Sequence, residues 1–452
     1  MLIRKNVLRL AVPIMVEQTF VMLLGVFNTM MAGHIGEEAV SAIGMVDSLN
    51  NIFISFFAAL SVGATVVVAQ HIGKEDTKKA NETVKQALLS GLIISSLITL
   101  FMWIFRVWII NSFYGQATEL VKLDAKIYIE YTLMTYPFIA VEQIANGILR
   151  GSGDTKTPMI ITIFMNIINL FLGYIFIYGI NLNNIGINFS TPSFGISGAA
   201  IAIAIARLVG TIVIISNLIR GSKNIKLRKV IPFKFDFKIQ KEIFGIGIPA
   251  GVEQLLFNAG KFIVQVFIVT MGTASIASNT IGMSICQIPN VLGNSLAIAA
   301  TTLVGQYVGR NDIKGAKSTL IYLCKFATVF MVIIGVICMP LAPYLANLYT
   351  DNQDVISLSA ILIRANGIAM VIWPISFVFS AGLKGAGDTR YTMCTAIIGM
   401  WLFRILVGYF LGVILKLGVL GIWIGMFSDW LVRGCLYTLR LRGTKWLKHR
   451  IV

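Results

Sequence analysis

Two ten-residue stretches decide how this chain is read: RGSGDTKTPM at residues 150–159 and KGAGDTRYTM at 384–393. They begin 234 residues apart. Each opens with a base, keeps glycine at its second and fourth places, and continues Asp-Thr. Each also lies between long apolar runs, in a chain that is 57% hydrophobic and only 13% charged. Soluble domains carry roughly 25% charged residues, so a repeated polar decapeptide in this setting marks a duplicated membrane unit.

Other fragments recur at similar offsets. AVPIMVEQ (11–18) returns as GIPAGVEQ (247–254), and AQHIGKED (69–76) as GQYVGRND (305–312). TYPF (135–138) is echoed by IWPI (372–375), and GISGAAI (195–201) more weakly by GVLGIWI (418–424). The mean hydropathy is +0.82. Runs near the ~20 residues that cross a bilayer fall at 10–33, 47–71, 87–111, 127–149, 159–181 and 195–217. They resume at 243–271, 284–308, 318–346, 357–383, 392–415 and 418–439. The expected fold is all-α and polytopic: twelve transmembrane helices in two six-helix bundles, residues 1–217 and 243–452, joined by a basic loop at 218–242. An even number of spans per copy gives both copies one orientation, so they form a parallel repeat. The opening MLIRKNVLRL runs into a span without a small-residue cleavage site, so no removable signal peptide is expected.

The net charge of +17 is a topology signal. Alternate loops hold 27 Lys and Arg on one side of the membrane and three (Lys122, Lys126, Lys416) on the other. The positive-inside bias then puts both termini and the 218–242 loop in the cytoplasm. The basic side favours anionic lipid rather than nucleic acid. Cys286, Cys324, Cys338, Cys394 and Cys435 stand singly, and His34, His71 and His449 are scattered. None has metal-ligand or disulfide-framework spacing, so all eight read as structural.

This topology makes the decapeptide the cytoplasmic turn between the fourth and fifth spans of each copy. Its glycines suit left-handed helix ends, and Asp154 or Thr157 suits a cap with Pro158 in the following first turn. A phosphate loop needs Gly-Lys-Ser/Thr in succession, which neither copy has.

The ordered set in both halves is Pro-x-x-x-Glu-Gln, Gln-x-x-Gly-Lys/Arg after the second span, and Gly-Asp-Thr after the fourth. It resembles the multidrug and toxic compound extrusion (MATE) family across essentially the whole chain. That resemblance implies two six-helix bundles around a central cleft. It also implies antiport, in which organic and often cationic compounds leave as Na⁺ or H⁺ enters, with no other cofactor. Many relatives carry Val-Asp-Thr in the first span, where this chain has Asn28. Another branch places acids where this chain has Phe257 and Trp373.

Carboxylates inside a bilayer cost at least about 2.5 kcal/mol and are functional candidates by default. Glu17 and Glu253 hold equivalent places in the repeat. Asn28, eleven residues after Glu17, returns to within about 20° of the same helix face. Glu17, Glu253 and Asn28 are the expected ion-coupling residues, with Na⁺ near Glu17 or Glu253 the metal to consider. Lys261 follows Glu253 by eight residues and is the expected partner that would silence it or be exchanged during transport. Gln18, Gln254, Asn258, Glu142, Gln143, Met283 and Gln287 are expected substrate contacts. Asp429 with Arg433, and Arg404 and Arg207 on other late spans, read as helix staples. Prolines within spans free carbonyls that neighbouring side chains or water must satisfy.

Amphipathic organic cations are therefore the expected cargo, drawn by carboxylates in an aromatic-rich, low-dielectric site. A flippase for a lipid-linked precursor is the alternative, supported by Lys261, Arg207, Arg404 and Lys325. An enzyme would need a cluster such as His-x-x-x-His or Gly-x-Ser-x-Gly, and neither appears. The expected location is a bacterial plasma membrane, with the protein a monomer and no obligate protein partner.

Overall fold

Most of the apolar runs become helices longer than the ~20 residues that cross a bilayer. The structure, a computed structural model, describes residues 2–33, 35–113, 117–179, 192–227, 235–448 and 450–451. His34, His449 and part of the 218–242 loop lie outside these residues. The first half comprises α1 (Leu2–Gly33), α2 (Glu37–Gly73), α3 (Thr77–Phe113), α4 (Glu119–Met134), α5 (Tyr136–Gly151), α6 (Lys156–Tyr178) and α7 (Gly195–Arg220). The second comprises α8 (Phe237–Val269), α9 (Thr273–Gly309), α10 (Ile313–Asn347), α11 (Gln353–Ala369), α12 (Trp373–Gly385), α13 (Thr389–Ile398) and α14 (Gly418–Arg442).

Ten described helices are long and apolar enough to span a membrane, one of them being α13 with its continuation. The pair α11–α12, bent by 54°, makes an eleventh. The remaining span of the repeat is α4–α5, broken at Thr135, so each half supplies six spans. Both broken spans resume at proline, Pro137 and Pro374, just inside the new helix. Pro13, Pro249, Pro289, Pro340 and Pro343 instead lie inside continuous helices.

A proline deprives the carbonyl four residues earlier of its donor, and side chains fill two of these gaps. Thr99 Oγ1 donates to the Leu133 carbonyl (3.4 Å), four residues before Pro137. Arg364 Nε donates to the Met339 carbonyl (3.3 Å), four residues before Pro343. At the first break, Arg207 also donates to Thr135 Oγ1 at 2.7 Å. After α13 the helix widens into π turns at Gly399–Val407 and Phe410–Ile414. Gly408 and Gly412 there meet the backbone at Gly425 and Gly421 of α14, where a Cβ would stand 2.6 Å from a backbone nitrogen.

Two compact units result: residues 16–68 with 77–243, and residues 1–15, 69–76 and 244–452. In the first, Phe57, Ile110, Ile129, Leu133 and Tyr136 are fully buried core residues. The second holds one core around Leu296, Leu320, Val378 and Tyr437, and another around Trp373, Trp423 and Trp430. Within this second unit the repeated Gln-x-x-Gly turns abut each other. A Cβ on Gly73 would strike the Gln306 carbonyl, and one on Gly309 the Gln70 carbonyl. Glycine at that step of each turn is a packing requirement.

The decapeptides end their helices alike. Asp154 N–H donates to the Leu149 carbonyl and Gly153 N–H to that of Arg150, both at 2.9 Å. Asp388 and Gly387 repeat this with Leu383 and Lys384. Gly153 (φ 87°) and Gly387 (φ 95°) take the left-handed conformation. Gly151 and Gly385 are needed for closeness instead, because a Cβ on either would collide with the carbonyl oxygen of Thr65 or Thr301. Thr157 donates to Asp154 through its backbone N–H (3.2 Å) and its hydroxyl (2.7 Å). Burial pushes the Asp154 carboxyl up, but hydrogen bonds from Ser222 and Thr157 outweigh it and hold it below the usual carboxylate range. Asp388 is held differently, by Arg440 at 2.7 and 3.1 Å.

Candidate functional site

The first base of each decapeptide reaches back to the repeated glutamate. Arg150, in the last turn of α5, pairs with Glu17 of α1, and Thr162 of α6 donates to the same Glu17 oxygen, Oε1, at 3.4 Å. Glu17 is 2% exposed, and its other oxygen, Oε2, is buried without a hydrogen-bond partner. Lys384, in the last turn of α12, pairs with Glu253 of α8 at 2.8 Å, and Thr392 donates to Glu253 Oε2 at 3.3 Å. Lys384, not Lys261, is thus the partner of Glu253, and the decapeptide supplies counterions as well as a turn. The ammonium of Lys261 instead stands 5.0 Å over the Phe257 ring.

Eleven residues beyond Glu17, Asn28 accepts from Asn169 Nδ2 of α6 at 3.3 Å. Thr162 and Asn169, seven residues apart on α6, therefore meet Glu17 and Asn28 on one α1 face. Asn28 opens onto a cavity of about 380 Å³ lined also by Asp47, Tyr128 and Asn169, with apolar walls from Met31, Ile43 and Ile177. Asp47 accepts from Asn50 (3.3 Å) and from the Tyr128 hydroxyl (3.5 Å). The lining of this pocket carries one acid and no base.

A second pocket of about 230 Å³ lies in the other unit, between α8, α9, the π segment and α14. Lys261, Gln265, Asn279, Met283, Arg404 and Trp423 line it, so it carries two bases and no acid. Behind it, Asp429 is fully buried and lies 2.7 Å from Arg433 Nε and 3.9 Å from Arg404. These contacts fit the helix-staple reading of that group.

The other expected contacts divide. Glu142 is buried and bonded to Asn146 (3.5 Å), and the Gln143 carbonyl accepts from Ser61 at 2.6 Å. Met283 joins the second pocket, whereas Gln18, Gln143, Gln254, Asn258 and Gln287 line neither. Asp47 had a usable signal as an acid at a span edge, and Arg404 as a base inside a span. Tyr128, Asn169 and Trp423 had none, being ordinary residues of helical spans.

The MatE family profile matches the chain twice, over residues 13–175 and 249–410, once in each half. The chain is 29% identical to the probable multidrug resistance protein NorM of Thermotoga maritima, over all of this chain and 94% of that one. It is 27% identical to the uncharacterized transporter YisQ of Bacillus subtilis, over 96% of this chain and 93% of that one. Among solved structures it is similar to an outward-facing multidrug resistance MATE family transporter of the MOP superfamily. There the TM-score is 0.89 at 24% identity, covering 97% of this chain and 95% of that one, a likeness of fold.

Proposed function

Because the chain belongs to the MatE family, and is thus a membrane transporter and not an enzyme, we propose that it is an antiporter coupled to Na⁺ or H⁺. In this reading it exports amphipathic organic compounds by alternating access. It works in a plasma membrane as a monomer without a cofactor, with both termini and the 218–242 loop cytoplasmic, as the 27-to-3 split of loop bases favours.

One observation carries the coupling. Glu17 is a buried carboxylate with one oxygen engaged by Arg150 and Thr162 and the other unpartnered. A buried acceptor without a donor costs about 1–3 kcal/mol, more when charged. A proton or Na⁺ at Oε2 removes that cost and competes with Arg150 for the carboxylate. Since Arg150 stands at the end of α5, exchange of the cation on Glu17 changes the hold on the following turn. Glu253 repeats the pairing but not the free oxygen, since Lys384 engages its Oε1 and Thr392 its Oε2. Asp47, with Asn28, Asn169 and Tyr128, offers a cationic group a carboxylate and neutral polar neighbours beside apolar walls. The names of the relatives favour the exporter over the flippase for a lipid-linked precursor.

Protein reconstituted in liposomes should move a fluorescent organic cation against its own gradient when an opposing Na⁺ or H⁺ gradient is imposed. Movement that ignores both gradients would remove the coupled-export reading.

A further inference from the structure

We propose that the pocket of the second unit is an anion site that takes the carboxylate of an amphipathic molecule. The Trp423 indole can only donate, and it donates to Asn279 Oδ1 at 2.9 Å. That fixes the Asn279 amide, whose Nδ2 donates to Gln265 Oε1 at 3.4 Å. Both amide oxygens thus face protein donors, and the chain ends on Gln265 Nε2, a donor with no acceptor among the described residues. Lys261 and Arg404 add only donors.

Charge points the same way. Lys261, Arg404 and Arg433 gather around the single ring of Phe257 at 5.0, 5.6 and 5.4 Å. Asp429 is the one carboxylate among the described residues within 4.0 Å of any of them. Arg433 takes its close contacts, and Arg404 stands at 3.9 Å. Arg404 is 5% exposed and its Nε is buried without a hydrogen-bond partner. Lys261 has no carboxylate within 4.0 Å among the described residues. Three cations against one anion, two of them lining a pocket, leave room for a negative ligand. The remaining walls are Val264, Ile268, Met283, Ile422, Trp423 and Met426, so the ligand is apolar beyond its charged group.

Duplication sharpens the contrast. The repeated Val-Glu-Gln at 16–18 and 252–254 sets an offset of 236, which places Lys261 opposite Gly25. Gly25 lines the acidic pocket of the other unit. The repeated Ile-Gly-Met at 43–45 and 281–283 places Asp47 opposite Ile285. The two copies have thus diverged to opposite pocket charge. That adds carboxylate-bearing amphiphiles, zwitterions included, to the organic cations as cargo. This assignment of cargo rests on the transport reading, but the binding site does not.

The test is equilibrium binding of radiolabelled 2-naphthoate to the full chain in detergent. Inorganic phosphate and dihexanoyl phosphatidate serve as competitors, and Lys261→Met and Lys261→Arg as variants. Saturable 2-naphthoate binding is expected. It should weaken at least about tenfold in Lys261→Met, as loss of a hydrogen bond to a charged group implies, and be largely kept in Lys261→Arg. Neither competitor should displace it below about tenfold excess. Absence of binding, or equal binding by folded Lys261→Met, overturns the site. Displacement by phosphatidate at lower concentration than 2-naphthoate itself overturns the carboxylate assignment in favour of a lipid phosphate. Because binding needs no ion gradient, its failure is read separately from a failure of coupled flux.

Discussion

Replacing Arg150 with methionine should destabilise the protein more than replacing Arg150 and Glu17 together. Glu17 has a side-chain exposure of 3% and its partner Arg150 of 14%, so the pair is largely shielded from water. Removing one member of a buried pair costs about 3–5 kcal/mol, because the charge left behind is uncompensated, whereas replacing both members is often near neutral. Arg150→Met should therefore lower the temperature of irreversible aggregation in detergent sharply, and Arg150→Met with Glu17→Gln should recover most of the loss. At the repeated pair the same cycle should be shallower, since Glu253 and Lys384 are 12% and 20% exposed. Equal stability of Arg150→Met and the wild type would show that the pairing carries no structural weight.

A second large loss is expected at Asp429. Its carboxylate is fully buried and is the only one within 4.0 Å of Arg404 and Arg433 among the described residues. Asp429→Leu leaves two guanidiniums, 5% and 3% exposed, against the Phe257 ring without an anion. The cost should again be about 3–5 kcal/mol, read as a lower aggregation temperature and reduced yield of monodisperse protein. Arg404→Leu should be milder, because Arg433 keeps the shorter contacts to Asp429. Asp429→Leu with Arg433→Leu should recover part of the loss, with Arg404 still uncompensated. If Asp429→Leu behaves like the wild type, the staple reading fails.

Much of the fold was legible because hydropathy and duplication are both local signals. Apolar runs located the spans, and the two Gly-Asp-Thr turns fixed the repeat. The helices nevertheless overshoot the runs: α1 begins at Leu2, eight residues before its expected span, because charged residues at a membrane surface continue a helix without entering the apolar layer. Pro137 and Pro374 marked the two broken spans, but five other prolines left their helices continuous, since proline costs one hydrogen bond and only its surroundings decide whether the helix parts. The π turns after Ile398 accompany close glycine contacts with α14 that no local pattern encodes.

At the site, the carboxylates were legible and their partners were not. Glu17 and Arg150 are 133 residues apart, and Glu253 and Lys384 are 131. Nearness in sequence favoured Lys261, although the repeat carried the better clue. A base opens both decapeptides just as a glutamate occupies both Val-Glu-Gln segments, so both charges of the pair were duplicated together. The opposite polarity of the two pockets was hidden because it arises from single positions, Asp47 in one copy and Lys261 and Arg404 in the other, that the repeat does not share.

The most direct test of coupling at Glu17 compares wild-type protein with Glu17→Gln in liposomes, both first shown to be folded by size exclusion. A fluorescent organic cation is followed under imposed Na⁺ and H⁺ gradients. The account predicts uphill movement driven by one of the gradients in the wild type and its loss in Glu17→Gln, since an amide neither takes up a proton nor carries charge to hold Na⁺. Gradient-driven movement that persists unchanged in Glu17→Gln would contradict it.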